Sequence, residues 1–228
     1  MRLMNLLRPI SLCAVFALVA GNCLTGNRAV GAESASAPQT QPAVSFTNDV
    51  VPILTKAGCN GGVCHAKAGN GQNGFQLSLF GFEPGEDFEH IVNEARGRRI
   101  SQTAPERSLL LLKATGMLPH GGGVRLKETT DAYRTVRDWI RQGARSDVGS
   151  APELTSLKVD PERASLSRPE RRQLRVTAVY ADGRTRDVTQ QAVYESNDRA
   201  MAEVDEHGLA TISDIAGNVA IMARYQSK

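Results

Sequence analysis

One stretch constrains this chain more than any other: Cys59-Asn60-Gly61-Gly62-Val63-Cys64-His65. Two thiols closing on a histidine are the groups that c-type haem attachment uses, the thiols bonding the vinyl groups and the histidine ligating the iron. The usual spacing is C-x-x-C-H, whereas four residues separate these cysteines. The longer loop must bulge to bring both sulfurs to one porphyrin edge, and Gly61 and Gly62 permit that because glycine tolerates positive φ. The same cysteines also admit a disulfide, which would leave His65 an ordinary surface residue. A zinc site completed by His120 is the third reading. It is disfavoured because structural zinc sites take two separated ligand pairs, and adjacent Cys64 and His65 strain a tetrahedron.

Export matters to this choice. Met1, Arg2 and Arg8 precede an apolar run from Ile10 to Ala20, and small and polar residues follow through Val30, Gly31 and Ala32. That order is a secretory signal peptide, expected to span 1–32 and to be cut near Ala32. Cys23 would anchor a lipid only if a small residue preceded it, and Asn22 stands there instead. The apolar run is shorter than the roughly 20 residues of a membrane-spanning helix. Cleavage leaves Cys59 and Cys64 as the remaining cysteines, in an oxidising periplasm or at the cell surface. Of the chain's 27 basic residues, Arg2, Arg8 and Arg28 leave with the leader, so 24 basic residues face 24 acidic ones. With no net charge and no basic stripe, nucleic acid is excluded as a partner.

Residues 33–44 are mostly Ser, Ala, Pro, Gln and Thr without apolar periodicity and read as a disordered spacer. From Asp49 to Lys56, an acid and a Pro in the first turn announce a short helix that ends at Gly58. The Gly- and Asn-rich stretch 61–85 reads as loop, and two helical patches follow at 88–94 and 106–112. Thr130 and Asp131 open the clearest helix, with Tyr133, Val136, Trp139 and Ile140 recurring at three and four before Gly143. Residues 146–153 read as a polar linker, so the parts on either side are expected to fold independently. Beyond it, Leu174, Val176, Ala178 and Tyr180 alternate with polar residues, and Asp182-Gly183 and His207-Gly208 mark turns. Further strands are expected at 209–212 and 219–225, which suits a small β-sandwich.

The run from Phe46 through Asp49, Val50, Pro52, Ile53 and Leu54 to Cys59, Cys64 and His65 resembles the start of the planctomycete-type cytochrome c domain. Tyr133 to Ala144, with Trp139-Ile140 and Gly143-Ala144, resembles that family's closing helix. The resemblance covers 45–145 and implies a compact all-α fold holding haem c in a crevice between the first and last helices. Cys59 and Cys64 would carry the haem, and His65 would be the proximal iron ligand. Met117 and His120 sit where such domains supply the distal ligand. Met117 is preferred on general cytochrome logic, because a thioether closely followed by Pro is held against the iron and raises its potential. His120, in Pro119-His120-Gly121-Gly122, is the alternative.

Residues 154–228 are similar to bacterial immunoglobulin-like domains of the second group. The likeness rests on Val159-Asp160-Pro161, Arg186-Asp187-Val188-Thr189, Ser196-Asn197-Asp198 and Gly208-Leu209-Ala210-Thr211. It implies an all-β immunoglobulin-like sandwich lacking its last strand. The pair of modules implies an electron-transfer protein rather than an enzyme, as found at the front of long surface proteins. Its partners would be a redox protein and cell-surface or downstream domains. The alternative is a haem-free interaction protein stapled by a Cys59–Cys64 disulfide.

Two motifs lead elsewhere only on paper. Gly69-Asn70-Gly71-Gln72-Asn73-Gly74 spells a dinucleotide fingerprint, but no apolar strand precedes it. His120-Gly121-Gly122-Gly123 resembles an esterase oxyanion loop, but the chain has no G-x-S-x-G elbow. Arg96, Arg98 and Arg99 are available to pair with haem propionates or to form a solvated turn. His90 and His207 read as surface residues, and Phe75, Leu77, Leu79, Leu109, Leu111, Leu112 and Trp139 as core.

Overall fold

The computed structural model describes residues 42–167 and 169–228, which fall in one compact unit. The signal-peptide reading, Cys23 and most of the spacer lie outside the described residues. Ser45 caps a π-helical turn, Phe46–Val50, its hydroxyl accepting from the Asn48 amide, and the turn runs directly into α1, Val51–Lys56. Pro52 sits in that first turn, where its missing N–H has no helical partner to lose. Helix α2, Pro84–Phe88, continues into a second π-helical turn, Glu89–Asn93. A 3₁₀ turn at Pro105–Arg107 leads to α3, Leu109–Ala114. The longest helix is α4, Asp131–Arg141, capped by the Thr130 hydroxyl and burying Tyr133, Val136, Trp139 and Ile140 as its periodicity requires. Phe46 packs between Phe88 and Trp139, at 5.3 Å from each ring, in the centre of this core.

Eight strands follow: β1 Leu154–Asp160, β2 Glu170–Gln173, β3 Arg175–Tyr180, β4 Thr185–Asp187, β5 Val193–Ser196, β6 Ala202–Val204, β7 Leu209–Ile212 and β8 Ile221–Arg224. They pair antiparallel into three small sheets, ordered β1-β3-β4, β2-β7-β6 and β5-β8.

The expected fold class, an all-α cytochrome c-like domain plus an immunoglobulin-like sandwich, is corrected by this architecture. The described residues form mostly β-strands in small antiparallel sheets and only a few short helices: α1 to α3 have five or six residues and α4 eleven. Helix cannot extend through 61–74, where Gly62, Asn70, Gly71, Asn73 and Gly74 take positive φ. Nor does a two-sheet sandwich form. Most strands are only three or four residues long, and β2 turns a mostly exposed polar face outward, so facing sheets have too few inward side chains to share one core. The apolar cluster here is narrow, drawing on Leu154, Val176, Ala178, Tyr180, Val188, Ala192 and Tyr225.

Hydrogen bonds lock the two halves together. Tyr225 donates to the Asn48 carbonyl at 2.9 Å, and Arg186 pairs with Asp49. Lys56 at the end of α1 donates to the carbonyls of Ala192 and Glu206, each at 2.5 Å. The stretch read as a free linker is itself tied down: Asp147 accepts from the Ser45 hydroxyl and from the amide and hydroxyl of Thr47, and Asn48 reaches the Pro152 carbonyl.

Candidate functional site

Helix α1 delivers the first cysteine. Its last turn closes with the Cys59 amide donating to Leu54, and the loop then folds in successive turns, Cys64 N–H to Gly61 and His65 N–H to Cys59 at 3.0 Å. The bulge falls on Gly62, with φ +41°, while Gly61 keeps an ordinary negative φ. Cys59 and Cys64 are half-buried free thiols, not joined to each other. Burial pushes the Cys59 thiol up to about 11, against the opposing pull of the nearby Arg125 guanidinium.

The next residues support this loop from below. The His65 carbonyl accepts from Leu77, and Leu77 returns its own carbonyl to Lys67, so 65–67 and 75–77 run side by side. Gly69 packs so closely on the cysteine loop that a Cβ there would lie 2.7 Å from the Gly62 carbonyl oxygen. The nucleotide-like glycine run is therefore a brace for the loop between the thiols.

His65 and His120 come together with ring centroids 6.1 Å apart and planes within 4° of parallel. Each ring is oriented by a backbone carbonyl: His65 Nδ1 lies 3.2 Å from the Phe75 oxygen, and His120 Nδ1 lies 2.8 Å from the Gly123 oxygen. A carbonyl only accepts, so Nδ1 carries the proton in both rings and Nε2 is left with a free lone pair. Burial lowers the His65 pKa, which keeps that lone pair available at neutral pH. Phe75 stacks beside His65 at 4.7 Å, and the Arg99 guanidinium lies 4.6 Å over the far side of the system on the Phe75 ring.

The loop 116–126 brings His120 to its partner. A Cβ at Gly122 would meet the His120 ring at 2.9 Å, so the glycine makes room for the imidazole folding back on its own loop. Gly123, with φ +70°, turns the carbonyl that receives Nδ1–H. Met117, the sequence-preferred distal ligand, is instead 67% exposed on the surface of the same loop. Val63, Leu118 and Val124 are likewise exposed apolar residues beside the site residues in sequence. Arg99 is spent on structure, donating to the His90 and Gly74 carbonyls and pairing with Glu94, which removes it from the propionate candidates.

Zinc requires about four protein ligands, and among the described residues no three His, Cys, Asp or Glu side chains converge. Haem brings its own four nitrogens and needs at most two axial ligands. Imidazoles bound to opposite faces of one ion, with nitrogens at roughly 2.0–2.1 Å, hold their centroids about 6.3 Å apart, close to the observed 6.1 Å. The residues fit haem. By contrast, a cleft of about 990 Å³ lies beside α4 and β3–β4 and is lined by Asp49, Asp131, Arg134, Arg175, Arg186 and Asp187, among others. Those charges pair with one another.

No protein-family model matches the chain, and no curated protein matches it. Among the described residues no helix is long and apolar enough to cross a membrane.

Proposed function

We propose that this chain is an exported c-type haem-binding protein that passes single electrons, in which His65 and His120 would ligate the iron. Cys59 and Cys64 would hold the haem covalently through their sulfurs, and the bound group would supply a one-electron iron couple. The chain's own residues then do three things. Phe75 and Gly123 fix the tautomer and direction of the two imidazoles through Nδ1. Gly62 and Gly69 shape the loop that spaces the sulfurs. The β-region holds α1, and with it Cys59, through Asn48, Asp49 and Lys56.

The observation that carries this reading is the parallel histidine pair at 6.1 Å, with both Nδ1 atoms committed to carbonyls. Export to the periplasm or cell surface, and transfer to a redox partner protein, belong to the same proposal. The test is expression in a host with a haem-attachment system. The protein should be red, keep its colour after denaturation, and show the spectrum of a low-spin iron with two nitrogen axial ligands. A colourless product with a Cys59–Cys64 disulfide overturns it.

A further inference from the structure

A sheet edge offers unpaired N–H and C=O groups to any second strand, and proteins blunt it with charge, brevity or cover. Among the described residues the edges of the three sheets are β1 and β4, β2 and β6, and β5 and β8. Lys158 and Asp160 guard β1, Arg186 and Asp187 guard β4, Glu170, Arg171 and Arg172 guard β2, and Glu203 stands in the three-residue β6. Strand β5 carries Glu195, and Lys56 covers the Ala192 carbonyl just before it. Strand β8 is the exception, with no charge from Ile221 to Ala223. Its one charged residue, Arg224, is turned onto its own chain, the guanidinium lying 4.6 Å over the Phe80 ring and Nη2 3.8 Å from the Met222 sulfur. Met222 is 52% exposed, and Leu79 and Phe82, at the two ends of the turn that carries Phe80, are exposed as well.

Residues of an antiparallel ladder turn their backbone groups alternately to one side and the other. The Asn197 amide donates to the Ala220 carbonyl, so two and four residues on, Met222 and Arg224 also turn their N–H and C=O inward, to Glu195 and Val193 of β5. Ile221 and Ala223 therefore turn theirs outward. Tyr225 does the same, and on that side its amide and carbonyl are taken by Lys228, at 3.0 and 3.2 Å. The turn closes the edge from Tyr225 onward and leaves the groups of Ile221 and Ala223 to be paired. A second β8 satisfies all of them at once, its Ala223 on Ile221 and its Ile221 on Ala223. We propose that the protein forms a two-fold dimer by pairing β8 antiparallel with β8 of a second copy, with Met222 on the axis. Centring the pair on Ala223 would need the room that Lys228 fills, and centring it on Ile221 would carry Ala223 past the start of the other strand. On the axis the two Met222 residues take the non-hydrogen-bonded position, the closest approach in such a ladder, with Cα atoms about 4.5 Å apart. Arg224 faces Ala220 of the second copy, so no like charges oppose across the seam. The dimer is independent of the haem reading.

The test is the mass of the full chain by sedimentation equilibrium over a range of concentrations, with two substitutions at the axis. The wild type should rise with concentration from the monomer mass to twice that mass. Two short strands and their apolar fringe make a small interface, so the association should be weak and reversible. Met222→Glu sets two carboxylates against each other across the axis and should stay at the monomer mass throughout. Residue 222 is exposed, so the thermal transition of Trp139 fluorescence should be that of the wild type, which checks the fold. Met222→Cys should cross-link under mild oxidation, because the expected Cα separation falls within the disulfide range of about 4.4–6.8 Å. Mass spectrometry should then find the tryptic segment 200–224 joined to itself through residue 222, apart from the segments that hold Cys59 and Cys64. A wild type that stays monomeric at millimolar concentration overturns the proposal. So does a dimer that Met222→Glu leaves intact, or a Met222→Cys dimer without the self-linked segment. The haem reading stands or falls separately, on the colour of the protein.

Discussion

Replacing Tyr225 by Phe removes one hydroxyl, and its consequence should be felt far from residue 225. The ring is 2% exposed and its hydroxyl donates to the carbonyl of Asn48, itself buried, at the start of the helical half. Losing a donor to a buried carbonyl costs about 1–3 kcal/mol when nothing replaces it. Here Arg186 also reaches the same oxygen at 3.4 Å, a long bond that recovers part of the loss, so about 1–2 kcal/mol is expected. In a domain of 150–250 residues each kcal/mol moves the melting temperature by roughly 2–4 °C, which gives a drop of roughly 2–8 °C. The chain has a single tryptophan, Trp139, buried in α4 on the other side of the junction. Its fluorescence therefore reports the helical half alone, while far-ultraviolet dichroism reports both. If the halves are locked by the Asn48, Asp49, Lys56 and Asp147 contacts, Tyr225→Phe lowers both transitions together. If the fluorescence transition stays where it is while only the β signal moves, the halves unfold separately and the interlock has no energetic weight.

On the haem reading, His120→Ala should open a position on the iron to carbon monoxide, and Met117→Ala should leave the absorption spectrum unchanged. A spectral change confined to Met117→Ala would reverse that assignment. Gly69→Ala places a Cβ 2.7 Å from the Gly62 carbonyl oxygen, so it should lower stability by about 1–3 kcal/mol and reduce the yield of covalent haem; unchanged yield and melting temperature would show that the brace is dispensable. Alkaline titration should find Tyr194 losing its proton at about 12, pushed up mainly by burial. The unfolded chain releases that proton near the ordinary value of 10, so the stabilisation is complete below pH 10 and drains away as pH rises through about 12. Tyrosinate absorbance appearing at the ordinary value, with no loss of stability above it, would contradict the burial.

The local elements were legible because their signals are local. Thr130 followed by residues recurring at three and four gave α4 almost to its boundaries, and Asp182-Gly183 marked the turn between β3 and β4. The fold class was not legible. Alternation in Leu174–Tyr180 identifies a strand but says nothing about which partner it finds or how long that partner is, and three- or four-residue strands carry too few side chains to reveal a shared core. The junction was hidden for a related reason: Asp147 and Pro152 look like linker residues, and only the tertiary structure shows their oxygens accepting from Ser45, Thr47 and Asn48.

The candidate site divides along the same line. Cys59, Cys64 and His65 lie within one short stretch, so their chemistry could be read directly, whereas the proposed second ligand depends on how a distant loop folds. The sequence placed Met117 and His120 three residues apart, and thioether logic favoured Met117. What separates them in space is the backbone between and after them. Gly122 leaves a space that the His120 ring fills, and Gly123 turns its carbonyl to Nδ1, so the glycines serve the histidine rather than the porphyrin edge. That was the available signal: three glycines directly after a histidine.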